Sequence, residues 1–547
     1  MKSPFFTNKQ SWWLIGFSMI ISGGILVMPQ MITSFILKDN LSGMWIIWSG
    51  VLGVAAGKAF FAHLWNKLPI KTENELILFR FSGKGAKILH IFRSLYVGGI
   101  IVPIVLSFSF IAFSRVCAFV FDISVNAGLI ISIGIILIGT VFNSLRNRLK
   151  FDFISLIIFV ISFSIILFFL FKSYGNILDL NEKIKLSNLS FNLFPIKGSA
   201  AFTGFLVFIS VQWWSASIID MPDMNGQKLM AANNINEVSK SIIWPTMLFF
   251  VFNLLLYILP VYILFVNDIN SEISGEAAFF EIFKNGIPIN FRFLIFVFFL
   301  IPFLSIVHNT QNWGGSLLVR NFYKYHIKQN ADDKNLNNVG IVIMLLLVII
   351  SGIIAYFNDS LVDIFKFLFA ITAGVGPVFI LRWYWHKINA WSQLSAMISS
   401  LIFPFIFDFA YEHFYFVQNT VDMFINNYNI EYYPLKIVIL TIIVCITWIS
   451  ITLVTKPTDK KTLDRFVNTV SPGGFWGKER KKGKVFFSKR ILIWLLLSAK
   501  GILFYVLWWK FVSGNYWWFS ILSVLYLLLL FTAYKVLLKV NSKYAQA

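Results

Sequence analysis

The sequence predicts an all-α integral membrane protein of about 14 transmembrane helices, the first ten forming a five-plus-five inverted-repeat core. Three observations lead there. Of 547 residues, 58% are hydrophobic and only 13% charged, too few charges to cover a soluble chain of this size. Apolar runs long enough to cross a bilayer recur from end to end, with Lys and Arg gathered in alternate loops. Finally, the first run is broken at its centre, and its design recurs five spans later, the spacing of an inverted repeat.

The spans fall near 11–37, 42–65, 88–120, 125–145, 151–174, 197–219, 241–266, 290–322, 339–357, 361–385, 391–412, 434–455, 490–511 and 515–539. Basic residues sit in loop 66–87 (Lys67, Lys71, Arg80, Lys84, Lys87), in 146–150, after span eight (Lys324, Lys328, Lys334) and in 456–489. The intervening loops carry acids (Asp268, Glu272, Glu276, Glu281) or, at 413–433, no Lys or Arg. If each span crosses once, all the basic loops share one face, which the positive-inside rule makes cytoplasmic together with both termini. Residues 1–389 then form the core of helices 1–10. Residues 390–547 hold peripheral helices 11–14 and the basic loop 456–489.

The formal charge of +21 is a topology signal spread over loops, so nucleic acid is excluded as a partner. The expected partners are a small-molecule solute and the lipid bilayer. Cys117 and Cys445 each lie in an apolar run, so no disulfide framework is expected. No nucleophile elbow, zinc-protease or nucleotide-binding signature occurs, and an enzyme is not expected.

Span one reads Ser22-Gly23-Gly24 at its centre with Pro29 beyond. Glycine loosens a helix, and proline removes a donor and frees a carbonyl. In lipid, such freed groups are tolerated where they line a cavity or are buried in protein. Span six is interrupted by Gln212, Trp213, Trp214 and Ser215; the tryptophans read either as solute-lining or as interfacial anchors. Span eight places Ser305, Asn309 and Asn312 at i, i+4 and i+7, one helical stripe. His308 reads as a packing residue. Lys58, in span two, reads as snorkelling to the interface or as a fixed cation inside the bundle. The solute site is expected between helices 1, 3, 6, 8 and 10, lined by Ser22, Gly23, Tyr96, Gln212, Trp213, Ser215, Asn309 and Asn312.

Several long stretches resemble the sodium:solute symporter family: Trp12 to Met19, Ser49 to Trp65, Phe79 to Gly98, Asn312 to Lys324, Leu381 to Ser400, and the pair Thr455 to Asp459 with Val470 to Gly477. The last three are similar to a bacterial branch with undefined solutes, which implies an inner-membrane location. The resemblance implies a leucine-transporter-type core, alternating access, and sodium as the co-transported ion between the first and eighth core helices. No resident cofactor is implied. At the positions matching the family's helix-eight sodium ligands stand Pro302, Ser305 and Ile306, of which Ser305 alone carries a hydroxyl. The implied metal ligands are therefore Ser22, Gly24 and Ser305, and a weakened sodium site is expected. A sodium-uncoupled sensor or accessory subunit is the alternative reading.

Overall fold

The structure, a computed structural model, describes residues 10–23, 25–38, 41–141, 145–186, 192–215, 217–221, 224–266, 275–476 and 484–546. Gly24 and residues 477–483 of the basic loop lie outside them. Among the described residues the chain is helical, with only two isolated bridges of strand type. Nine of the described helices are long and apolar enough to cross a membrane, or ten if Ile235–Leu248 and Phe250–Phe265, bent by 52°, form one span. The remaining expected spans are short or interrupted, and the interruptions have local causes.

The elements that build the site are α1 (Trp12–Ile21), α2 (Met28–Lys38), α3 (Leu41–Lys67), α4 (Gly83–Phe121), α5 (Leu145–Tyr174), α6 (Ala200–Ser215), α7 (Met224–Met230), α8 (Ile235–Leu248), α9 (Arg292–Ser316), α10 (Leu361–Ala370), α11 (Gly376–Leu381), α12 (Lys484–Val512) and α13 (Tyr516–Gln546). The first span is the pair α1 and α2. Its N–H groups change partners at the break: Ser22 still bonds back four residues to Ser18, whereas Gly23 bonds back three, to Ile20. Pro29 then sits in the first turn of α2, where a missing donor costs nothing. The tenth expected span is likewise split into α10 and α11. Gly374 in that turn has φ +80°, and a Cβ there would meet Val444 Cβ at 2.6 Å, so both backbone and space require glycine.

Lipid supplies no hydrophobic drive between helices, so close van der Waals packing must hold the bundle. α1 lies against α5, α8 and α9. Gly16 permits the α8 contact, since a Cβ would meet Ser241 O at 2.9 Å and Pro245 Cγ closer still. Aromatic stacking ties α9 to its neighbours, with Phe303 on Phe113 of α4 at 4.1 Å and Phe298 on Phe159 of α5 at 4.7 Å. On the far side of α1, α12 packs on α3 and α13 packs on both α12 and α8.

Candidate functional site

Where α1, α5 and α9 meet, they enclose a carboxylate. Asp152 of α5 is 1% exposed. It accepts a close hydrogen bond from Ser18 Oγ of α1. From α9 it accepts Ser305 Oγ at 2.8 Å and Asn309 Nδ2 at 3.4 Å. An acid at this depth is costly unless partnered. Among the described residues its donors are neutral, and no ion pair includes it. Helical spacing assembles the cluster: Ser305 and Asn309 are one turn apart on α9, as are Ser18 of α1 and Ser22, which caps its C-terminal end.

The second charge in this region is Lys228, on α7 and 3% exposed. Its Nζ donates to Ser22 Oγ at 2.9 Å and to Ser18 O at 3.2 Å. Ser22 Oγ in turn donates to Ser18 O at 2.7 Å. These oxygens close the C-terminal end of α1, where carbonyls are left without helical partners and the helix dipole favours a cation. The break in span one thus creates a cation-attracting end, and an ammonium occupies it.

The other expected site residues divide. Tyr96 OH donates to Ile371 O at 3.2 Å, in the turn between α10 and α11. Asn312 is buried, with Oδ1 lacking a hydrogen-bond partner. Gly23 lines a cavity on the other side of α1. Ser215 Oγ donates to Gln212 O in its own helix at 3.2 Å. Gln212 instead faces α3 and Tyr433: its Nε2 donates to Ile46 O at 2.7 Å, and it accepts from Tyr433 OH at 3.2 Å. Trp213 stacks on Trp494 of α12 with ring centres 5.6 Å apart. Ser22, Ser305 and Asn309 therefore come together, while Gln212 and Trp213 point to neighbours outside that cluster. Gly24 lies outside the described residues.

Asp152, Lys228 and Ser18 escaped the sequence reading. Asp152 follows the basic cluster at 146–150, at the start of its apolar run. Lys228 lies in a polar stretch with no span periodicity. The available signal was Asp152 itself, an acid two residues into an otherwise apolar run.

Buried ion pairs hold the two ends of the bundle. Arg93 and Arg115 lie on α4, about 33 Å apart at 1.5 Å per residue. Arg115 Nη1 meets Glu276 at 2.9 Å, and Glu276 also accepts the N–H groups of Leu361 and Val362 at 3.0 Å each, capping α10. At the other end Glu73 accepts from Trp313 Nε1 at 2.7 Å and lies 3.7 Å from Arg93. Burial raises the Glu73 carboxyl above its usual range, against the opposing pull of Arg93 and its hydrogen bonds. Nearby Arg382 Nη2 meets Asp220 Oδ2 at 2.5 Å, and Trp383 Nε1 donates to the same oxygen at 2.8 Å.

A bundle with a first span broken at a cation-attracting end, and with polar clamps at both ends, has the build of a secondary transporter rather than an enzyme. The family follows from comparison: the model of the sodium:solute symporter family matches residues 11–400, and the chain belongs to that family. No curated protein matches it by sequence. Among solved structures, the fold is similar to a Na+-coupled sialic acid symporter in its substrate-bound outward-open state, with TM-score 0.61, 14% identity, and coverage of 83% of this chain and 92% of that one. A nucleobase-cation-symport-1 family transporter in a closed conformation with bromovinylhydantoin bound gives TM-score 0.47 and 12% identity, over 84% of this chain and 97% of that one.

Proposed function

We propose that this chain is a sodium-coupled symporter of a small polar solute, with the sodium held where α1, α5 and α9 meet. The carrying observation is the Asp152 carboxylate shared by the hydroxyls of Ser18 and Ser305. Sodium is a hard cation that needs oxygen ligands. A carboxylate, two serine hydroxyls and the carbonyl end of α1 are such ligands. The oxygen that Ile306 fails to supply on helix eight is offset by the carboxylate from α5, which revises the expectation of a weakened site.

Ion binding would link α1 and α9 to α5 and so favour conformations in which the three are close. A ligand shifts an equilibrium only by its difference in affinity for the two states. Lys228 sharpens that difference, because its ammonium holds Ser18 O and Ser22 Oγ and has to withdraw before sodium takes them. The clamps at Glu276 and Asp220 are the natural alternating closures, one breaking while the other holds. In this reading helices 1–5 and 6–10 are the two inverted repeats of a fourteen-helix chain, residues 390–547 are peripheral, and both termini are cytoplasmic. The solute site is assigned to Tyr96, Asn309 and Asn312 and to the break at Ser22 and Gly23.

Lys228 also favours a second reading, in which the ammonium replaces sodium permanently and transport is sodium-independent. Proteoliposome uptake separates the two. With a panel of small polar solutes, an inward sodium gradient should drive accumulation and an equal potassium gradient should not. Accumulation of a solute at equal rates under both gradients would favour the second.

A further inference from the structure

A cavity of about 470 Å³ lies on the side of α1 facing away from Asp152, between α1, α3, α8 and the peripheral helices α12 and α13. Two lysines line it, Lys58 of α3 and Lys500 of α12, and no Asp or Glu does. The two also line a smaller adjoining pocket. Among the described residues neither ammonium has an ion pair or a hydrogen bond. Lys500 Nζ has only the ring of Tyr526, 5.4 Å from its centre.

Neither lysine is at a span end. Lys58 is roughly 13 Å from the Lys67 end of α3, and Lys500 is near the middle of α12, at 1.5 Å per residue. Two positive groups in a membrane-depth cavity without a counter-charge are costly. The remaining lining is mostly apolar and aromatic, with Asn225, Ser241, Thr246, Asn253 and three tyrosines, Tyr257, Tyr505 and Tyr526, as polar points. Its volume and character suit an organic ligand. Here Lys58 lines this cavity and is not part of the cation cluster.

We propose that this cavity is an anion site for a carboxylate or phosphate that carries an apolar body, with Lys58 and Lys500 neutralising its charge. It is distinct from the cation cluster and does not depend on it. Because the cavity also touches Gly23 and Met28 at the break in span one, an occupant would bear on the segment that moves during transport.

The test is thermal unfolding of the purified full chain in two arms. Free-anion arm: benzoate and inorganic phosphate are titrated against chloride at equal ionic strength. Lipid arm: nanodiscs of phosphatidylcholine are compared with nanodiscs containing phosphatidylglycerol. One arm should raise the unfolding temperature saturably, by roughly 1–3 °C at ten times the dissociation constant. The rise should vanish in the Lys58→Gln/Lys500→Gln double variant and persist with arginine at both positions. A response confined to the first arm identifies a free anion, and one confined to the second a lipid headgroup. If the double variant does not fold, Lys500→Gln alone should weaken the response at least tenfold. No response in either arm, or a response equal in wild type and the glutamine variant, overturns the proposal.

Discussion

Ser305 on α9 donates its hydroxyl to Asp152 on α5 across 2.8 Å. Ser18 reaches the same carboxylate from α1, so one acid joins three helices. If that acid holds sodium, each hydroxyl contributes an oxygen. Removing one from a charged site costs about 1.5–3 kcal/mol, roughly ten- to hundredfold in affinity. Ser18→Ala and Ser305→Ala should each weaken sodium-dependent thermal stabilisation by that factor, measured as a sodium titration against potassium. Unchanged midpoints in both variants would place the ion elsewhere.

Lys228 should act in the opposite direction. Its bonds to Ser22 Oγ and Ser18 O occupy oxygens that a second cation needs, and two positive charges there repel. Lys228→Gln should therefore tighten sodium binding, by about tenfold or more if one charge-assisted hydrogen bond is relieved. The same titration reads it, and a loss of sodium response in this variant would show that the ammonium supports the site.

The Asp220–Arg382 pair is almost fully buried, with side chains 0% and 1% exposed. Breaking such a pair from one side leaves a buried charge and costs about 3–5 kcal/mol. Asp220→Asn should lower the unfolding temperature, and Arg382→Met in the same chain should recover part of the loss, as a double-mutant cycle would quantify. Additive losses would mean that the two side chains act independently.

Orientation is tested by labelling. With Cys117 and Cys445 replaced by serine, an impermeant thiol reagent applied to spheroplasts should modify Asn290→Cys and leave Lys461→Cys untouched, both positions being exposed. Labelling of Lys461→Cys from outside would invert the topology.

The helical membrane-protein build was legible in the sequence because lipid imposes long apolar runs. The break at Ser22 and Gly23 was legible for the same reason, since glycine pairs and proline are conspicuous in an apolar run. The site was legible only in part. Ser22, Ser305 and Asn309 announce themselves as polar residues in spans. Asp152 was masked by the basic cluster beside it, and Lys228 gains its meaning only when α7 folds against the end of α1. For Gln212 and Trp213 the sequence leaves the direction open: a polar or aromatic side chain in a span needs a partner, but sequence does not say on which side. Here the partners are Ile46, Tyr433 and Trp494.

The most direct test of a sodium site at Asp152 is equilibrium binding of radioactive sodium to the purified protein, with excess potassium or choline as competitor. Wild type should bind saturably at millimolar sodium, resist both competitors, and lose binding in Asp152→Asn, which keeps the shape and removes the charge. Saturable binding that survives Asp152→Asn unchanged, or no binding in the wild type, would contradict the account.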